Sequence, residues 1–143
     1  MSTVHLLKPA LGISDVSEFQ GRMSLRLNPY EGRMLYTVWT TRKPKQMDEL
    51  MNGGSVYWIV KKAIQCRQEI LGWEEFEGEN GKPYYNIYCE PQLIRTVAIE
   101  RRPFQGWRYL QVDQAPADIG EVTVGDEPPP AEMVGDLREA GLL

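Results

Sequence analysis

Apolar residues along the chain fall into short blocks, and their spacing switches between the strand period of two and the helix period of 3.6. Thr3 to Leu7 (TVHLL) is an apolar segment that reads as a first strand, stopped by Pro9. Val16, Phe19, Gln20 and Met23 then share one side at helical spacing. They predict a helix over about 15–23, with Ser14 as its N-cap and Asp15 and Glu18 complementing the dipole in the first turn. Asn28-Pro29-Tyr30-Glu31-Gly32 has turn chemistry. Met34 to Thr41 (MLYTVWTT) is aromatic and β-branched and predicts a strand, ended by Arg42-Lys43-Pro44-Lys45. A short helix over Gln46 to Met51 stops at Asn52-Gly53-Gly54, and Ser55 to Val60 (SVYWIV) is a second strong strand.

The next segment admits two readings. Val56, Val60, Ala63, Ile64, Arg67, Ile70 and Leu71 lie on one helical stripe, so a helix is available. The preferred reading is a hairpin turning near Lys61-Lys62 and returning as Ala63 to Trp73, because glycines punctuate both ends and Val, Ile, Tyr and Trp dominate. Ile64, Cys66 and Ile70 then face inward and Gln65, Arg67 and Glu69 face water, while Gln68 is left on the inward face. Asn80-Gly81, the favoured type I′ dipeptide, joins Glu74–Glu77 to Tyr84–Cys89 in a further hairpin. Leu93 to Ile99 is another strand, and Arg101 to Leu110 (RRPFQGWRYL) is a loop running into a strand that ends near Val112. Ala115 to Pro130 carries four prolines and reads as a linker or a surface-wrapping arm. Pro130 can start a last helix bearing Met133, Val134 and Leu137. A run of antiparallel strands with few helices predicts an α+β fold: a curled, mainly antiparallel sheet or a small PUA-like β-barrel, with two or three short helices.

At 143 residues the chain is the size of one domain, which buries roughly 70% of its unfolded surface without needing a disulfide or metal. No apolar run approaches the ~20 residues that span a bilayer, and Met1 to Leu11 has no signal-peptide pattern, so the expected location is cytoplasmic. Cys66 and Cys89 match no zinc spacing and read as reduced, partly buried thiols, with a cross-strand juxtaposition still open. The net charge of −4 hides a segregation. From Asp113 onward there are eight acids against one base, Arg138, whereas residues 1–112 hold 15 bases and 12 acids. The expected organisation is therefore a mildly basic domain over 1–112 and an acidic, Pro-rich arm with a short terminal helix over 113–143.

Catalytic chemistry finds little to stand on. His5 is the only histidine and sits inside the first apolar strand, where a packed or hydrogen-bonded core role is expected. No nucleophile–base pair, metal-ligand spacing or cofactor motif is visible, and Gly78 to Lys82 is a hairpin turn rather than a phosphate loop. Glu74-Glu75-Phe76-Glu77 alternates faces as a strand and reads as a solvated edge. Basic residues interleaved with aromatics do stand out: Arg42, Lys43 and Lys45 after Trp39, and Arg101, Arg102 and Arg108 around Phe104 and Trp107. Cations for phosphate and flat side chains for bases are what a nucleic-acid surface needs. The competing reading makes Phe104 and Trp107 core residues and the arginines a solvated rim.

Two stretches, GGSVYWIVKKAIQCRQEILG (Gly53–Gly72) and RRPFQGWRYL (Arg101–Leu110), resemble an alphaproteobacterial family of unknown function (domain of unknown function 1489). The resemblance covers most of the chain up to about residue 112 and implies a bacterial cytoplasmic source, with no activity attached. At the level of fold, the basic strand end, short helix, GGSVYWIV strand, return strand and NG hairpin are similar to PUA-like domains, including the ASCH and EVE domains. In those domains a pocket beside the corresponding GD-x-V strand takes RNA or a modified base; Gly54 stands here where that pattern has Asp.

Three functions follow as expectations. The first is a PUA-like module for RNA or a modified nucleotide, with Arg42, Lys43, Arg101, Arg102 and Arg108 on phosphates and Trp58, Phe104 or Trp107 stacking. The second is an interaction or regulatory domain whose acidic arm covers the basic face or recruits a basic protein. The third, least favoured, is a small enzyme on an anionic metabolite using Glu69 or Glu74 as base. No cofactor or membrane partner is implied.

Overall fold

Alternation of buried and exposed residues runs through strands that assemble into one nine-stranded sheet in a computed structural model describing residues 2–123. The order is β1 (His5–Pro9), α1 (Val16–Ser24), β2 (Leu27–Tyr30), β3 (Arg33–Thr40), α2 (Met47–Met51), β4 (Ser55–Val60), β5 (Ala63–Glu77), β6 (Pro83–Cys89), β7 (Ile94–Glu100), β8 (Arg108–Leu110) and β9 (Asp118–Glu121). The first strand starts later than its apolar run and contains Pro9. Pro9 closes it at the last paired residue, opposite Ile59.

Residues 56–71 are the hairpin, not the helix. β4 and β5 pair antiparallel from Ser55↔Glu69 to Val60↔Ala63. Gln68, the inward polar residue that weighs against a strand, is fully buried. Its Oε1 accepts from Trp58 Nε1 at 2.9 Å, and its Nε2 donates to the Glu90 carbonyl at 2.8 Å. A satisfied buried amide carries no desolvation penalty comparable to an orphaned one.

β5 is 15 residues long and organises the sheet. One edge pairs with β4, while the other pairs first with β7 (Ala63–Arg67) and then with β6 (Ile70–Glu77). β6 carries β3 and then β2; β4 carries β1 in parallel and then β8. β9 adds to the far side of β7. The sheet is open, with β2 and β8 ending its main path, so the fold is an α+β mixed sheet rather than a closed barrel. A register irregularity between Ile70 and Gly72 bends β5 where its two neighbours change over. A Cβ on Gly72 would lie 2.6 Å from Tyr30 Oη. The bare glycine lets the Tyr30 ring lie over β5 and stack on Tyr88 at 4.1 Å.

The predicted apolar face of α1 (Val16, Phe19, Gln20, Met23) is wholly buried. Its cap is Asp15 rather than Ser14: the Asp15 carboxylate accepts from Glu18 N at 2.8 Å, and Glu18 Oε1 accepts from Ser14 N at 2.9 Å. Asp15 is extended at φ −155°, the conformation an N-cap adopts. Phe19 meets Trp58 edge-to-face at 5.0 Å, seating the helix on β4. Strand alternation then divides the core. Val56, Trp58 and Val60 join α1 in the larger cluster, and Tyr57 and Ile59 join Leu7, Ile64 and Leu110 on the opposite face.

The type I′ turn falls at Glu31-Gly32, where φ is +48° and +82° between the paired Tyr30 and Arg33. At Asn80-Gly81 only Gly81 is left-handed, at +79°. Its N–H reaches the Gly78 carbonyl and the Gly78 N–H reaches Lys82, which is a type I turn closed by a glycine bulge instead of the expected I′ pair. Beyond residue 112, a single 3-10 turn (Val112–Gln114) leads into β9, and Val122 is buried in the main core. Arg67 forks the Asp118 carboxylate at 2.8 and 2.7 Å. The terminal helix expected from Pro130 lies outside the described residues. Among the described residues no helix is long and apolar enough to cross a membrane.

Candidate nucleotide interface

The basic–aromatic stretches of the sequence form two separate groups. Trp107 is 6% exposed and belongs to the main core. Arg42 lies over its ring at 3.8 Å and donates to its carbonyl oxygen at 2.6 Å. Gln46 N donates to Tyr109 Oη at 3.0 Å, so the β3–α2 loop is clamped onto the β8 segment. Lys43 stands 5.0 Å from the Trp73 ring. Trp107 Nε1 is buried with no hydrogen-bond partner among the described residues. The second group gathers on Phe104, which packs against the smaller cluster on the other sheet face. Arg108 lies 4.3 Å and Arg101 6.0 Å from its ring, while Arg102 is exposed beside them. Trp58, 5% exposed and hydrogen-bonded to Gln68, is a core side chain rather than a free surface ring.

What the fold brings together is different. The end of β1, the length of α1 and strand β3 enclose a cleft of about 320 Å³. Lys8, Arg22 and Arg26 supply its cations, and Phe19, Tyr36, Trp39 and Trp58 its aromatic surface. Among the described residues no carboxylate lines it. Arg22 is paired with Glu18 at 2.7 Å on the exposed helix face, but neither Lys8 nor Arg26 makes a salt bridge with any described residue. Alternation explains Lys8: it follows Leu6 on the face that packs toward the main core, and Trp58 is its partner on β4. Burial lowers the Lys8 pKa from its ordinary 10.5, since the ammonium has lost solvent and gained no counter-charge. Trp39, on β3, is 64% exposed, a large ring left in water at the mouth.

Such an arrangement favours an anion with a flat apolar part: unpaired cations attract the charge, and exposed and floor aromatics offer stacking surface. Of the basic and aromatic side chains singled out by sequence, Trp39 and Trp58 line this cleft. Lys8, Arg22, Arg26 and Tyr36 come from three separate segments, so no local motif announces them. One signal is present in the chain, a lysine at a core-facing position of an apolar strand. The two thiols, Cys66 and Cys89, are fully buried, unpaired and driven upward in pKa by desolvation, which leaves them chemically quiet.

Fold and cleft together define a class: a β-rich α+β domain on an open mixed sheet, with a cation-and-aromatic cleft between its first helix and strand β3. The chain belongs to the family described as "Protein of unknown function (DUF1489)", which matches residues 6–143. No curated protein matches the chain, and no solved structure does.

Proposed function

We propose that this domain is a binding module for RNA or a modified nucleotide, and that the α1–β1–β3 cleft receives the nucleotide. The observation that carries the reading is the coincidence, in one cleft, of an exposed tryptophan with two cations that have no counter-ion, and no carboxylate beside them, among the described residues. Lys8 and Arg26 take phosphate or another anionic group, Trp39 stacks on the base from the mouth, and Tyr36 and Trp58 form the wall behind it. At about 320 Å³ the cleft lies at the small end of ligand sites, which fits one nucleotide rather than a duplex. The fold-level resemblance to PUA-like domains belongs to the same proposal, as does a bacterial cytoplasmic setting, with which two unpaired buried thiols agree.

The test is salt-dependent binding of single-stranded RNA to the full chain. Trp39→Ala should weaken binding by about 1–3 kcal/mol, the range for one stacked base. Arg26→Ala should weaken it and reduce the salt slope by about 0.7, the share of one phosphate contact on a single strand. Arg101→Ala with Arg102→Ala, on the Phe104 side of the sheet, separates the cleft from that patch. Absence of binding at low salt would overturn the reading, and a loss confined to the Arg101/Arg102 variant would move the site to Phe104. Anion affinity should also fall at alkaline pH earlier than a solvent-exposed lysine would dictate, because the lowered Lys8 pKa releases its proton sooner.

A further inference from the structure

Trp39 lines a second cavity as well as the cleft. This groove, about 800 Å³, runs along β3 and β6 to the turn before β6, and its walls are Trp39, Thr41, Asn80, Lys82, Tyr84 and Asn86 with Gly78 and Pro83. The register places Trp39 directly across from Asn86. Strand alternation then puts Asn86, Tyr84 and Lys82 on one face in a row leading away from Trp39. Tyr84 is stiffened by stacking on Phe76 at 5.3 Å. The row therefore offers a tryptophan and a tyrosine as flat surfaces, the Asn80 and Asn86 amides as paired donors and acceptors, and a single ammonium at its far end. Among the described residues no carboxylate lines this groove: Glu74 accepts from Tyr88 Oη at 2.7 Å, and Glu75 and Glu77 line a separate cavity on the hairpin.

We infer that the groove is the site for the nucleotide adjoining the one in the cleft, so that the ligand is a single strand of at least two nucleotides. The inference rests on the reading of the cleft given above and deepens it. Its motive is continuity: Trp39 is on the wall of both cavities, each with its own further aromatic surface and its own cation. A strand passing over Trp39 keeps one base in the cleft and sets the next against Tyr84, with its edge toward Asn86 and its phosphate toward Lys82. A lone mononucleotide fills only the cleft. A duplex cannot present two unstacked neighbouring bases to the same indole. With one lysine and several glutamates nearby on β5, the groove holds its nucleotide by stacking and amide contacts more than by charge.

The experiment compares AMP, fluorescein-labelled oligoadenylate of eight residues, and a blunt-ended, fully base-paired RNA duplex, each titrated against the full-length protein. Oligoadenylate should bind at least about fivefold tighter than AMP, as one additional stacked base provides. The duplex should show no such gain. Tyr84→Ala should collapse the ratio of oligoadenylate to AMP affinity toward unity. Lys82→Glu, an exposed turn substitution that leaves the strands intact, should lower the same ratio several-fold. Arg26→Ala, in the cleft, should weaken AMP and oligoadenylate together. Equal affinities for AMP and oligoadenylate, or a ratio untouched by both groove variants, would sink the second site and leave the cleft standing. Failure of all three ligands to bind would remove the cleft and the groove together. Duplex binding as tight as that of the oligonucleotide would show that unpaired neighbouring bases are not what is recognised.

Discussion

His5 illustrates how much of this molecule depends on where single polar atoms are placed. Its Nδ1 accepts from the Ser55 amide at 3.0 Å, and its ring meets Tyr57 edge-on at 4.9 Å, with 8% of the residue exposed. Burial, and then the nearby Arg67 guanidinium, lower its pKa from 6.5. A base whose folded pKa lies below its unfolded value binds fewer protons when folded, so stability is full above about pH 6.5 and falls as pH drops through the lowered value. The wild type should therefore lose more of its urea midpoint between pH 7.5 and pH 5 than His5→Asn, whose amide oxygen can still accept from Ser55 but does not titrate. Equal losses in the two proteins would exclude His5 as the titrating group. The core role of this lone histidine was legible from its place in an apolar strand. The partners of Gln68 were not, since they come from Trp58, Glu90 and Met23, and no local pattern links those positions.

The order of strands and helices was largely readable because each apolar run keeps one period and ends in glycine, proline or a charge cluster. Turn type was less readable: Asn80-Gly81 has the preferred composition, yet the type I′ geometry is at Glu31-Gly32, where the two-residue spacing of paired Tyr30 and Arg33 dictates it. The junction of α2 and β4 shows why composition alone falls short. Gly53 and Gly54 read equally as a helix stop, but they do different things. Gly53 sits at φ +85° in open space. Gly54 has no room for a side chain, since a Cβ there would lie 2.5 Å from the carbonyl oxygens of both Leu50 and Val4. Those oxygens belong to backbone that α2 and the segment leading into β1 hold in place, so the strain cannot be relieved by a rotamer change. Gly54→Ala should destabilise by about 3 kcal/mol or more, at the upper end for overpacking. Gly53→Ala should stay near the 1–2 kcal/mol of a left-handed alanine. Chemical denaturation of the two variants decides it, and equal losses would mean that the close approach at Gly54 relaxes freely.

At the scale of the whole molecule, the segregation of charge was plain in the sequence, while the cleft it bears on was not. Clustered residues such as Arg101 and Arg102 draw attention by contiguity, whereas Lys8, Arg22 and Arg26 meet only because β1 lies beside β4 and α1 packs across it. Sheet pairing continues past Asp113 into β9, and Val122 is buried, so removing everything after residue 113 would strip a strand and a core side chain together. Charge and structure are better separated by leaving the chain whole. Thr123 marks the last described residue, and its carbonyl accepts from Ser17 Oγ at 3.4 Å, beside the helix whose Arg22 lines the cleft. Residues 124–143 carry five acids (Asp126, Glu127, Glu132, Asp136, Glu139) and one base. Their net charge of −4 opposes an anion wherever they come within a Debye length of the cleft, about 10 Å at 0.1 M salt. Changing the five to Asn or Gln should therefore tighten single-stranded RNA binding several-fold at 50 mM salt, with the gain shrinking toward none near 1 M, where screening acts over about 3 Å. A gain that persists at high salt would point to direct occupancy of the cleft by the acidic segment. Unchanged affinity at low salt would show that the acidic residues stay clear of the cleft and act elsewhere.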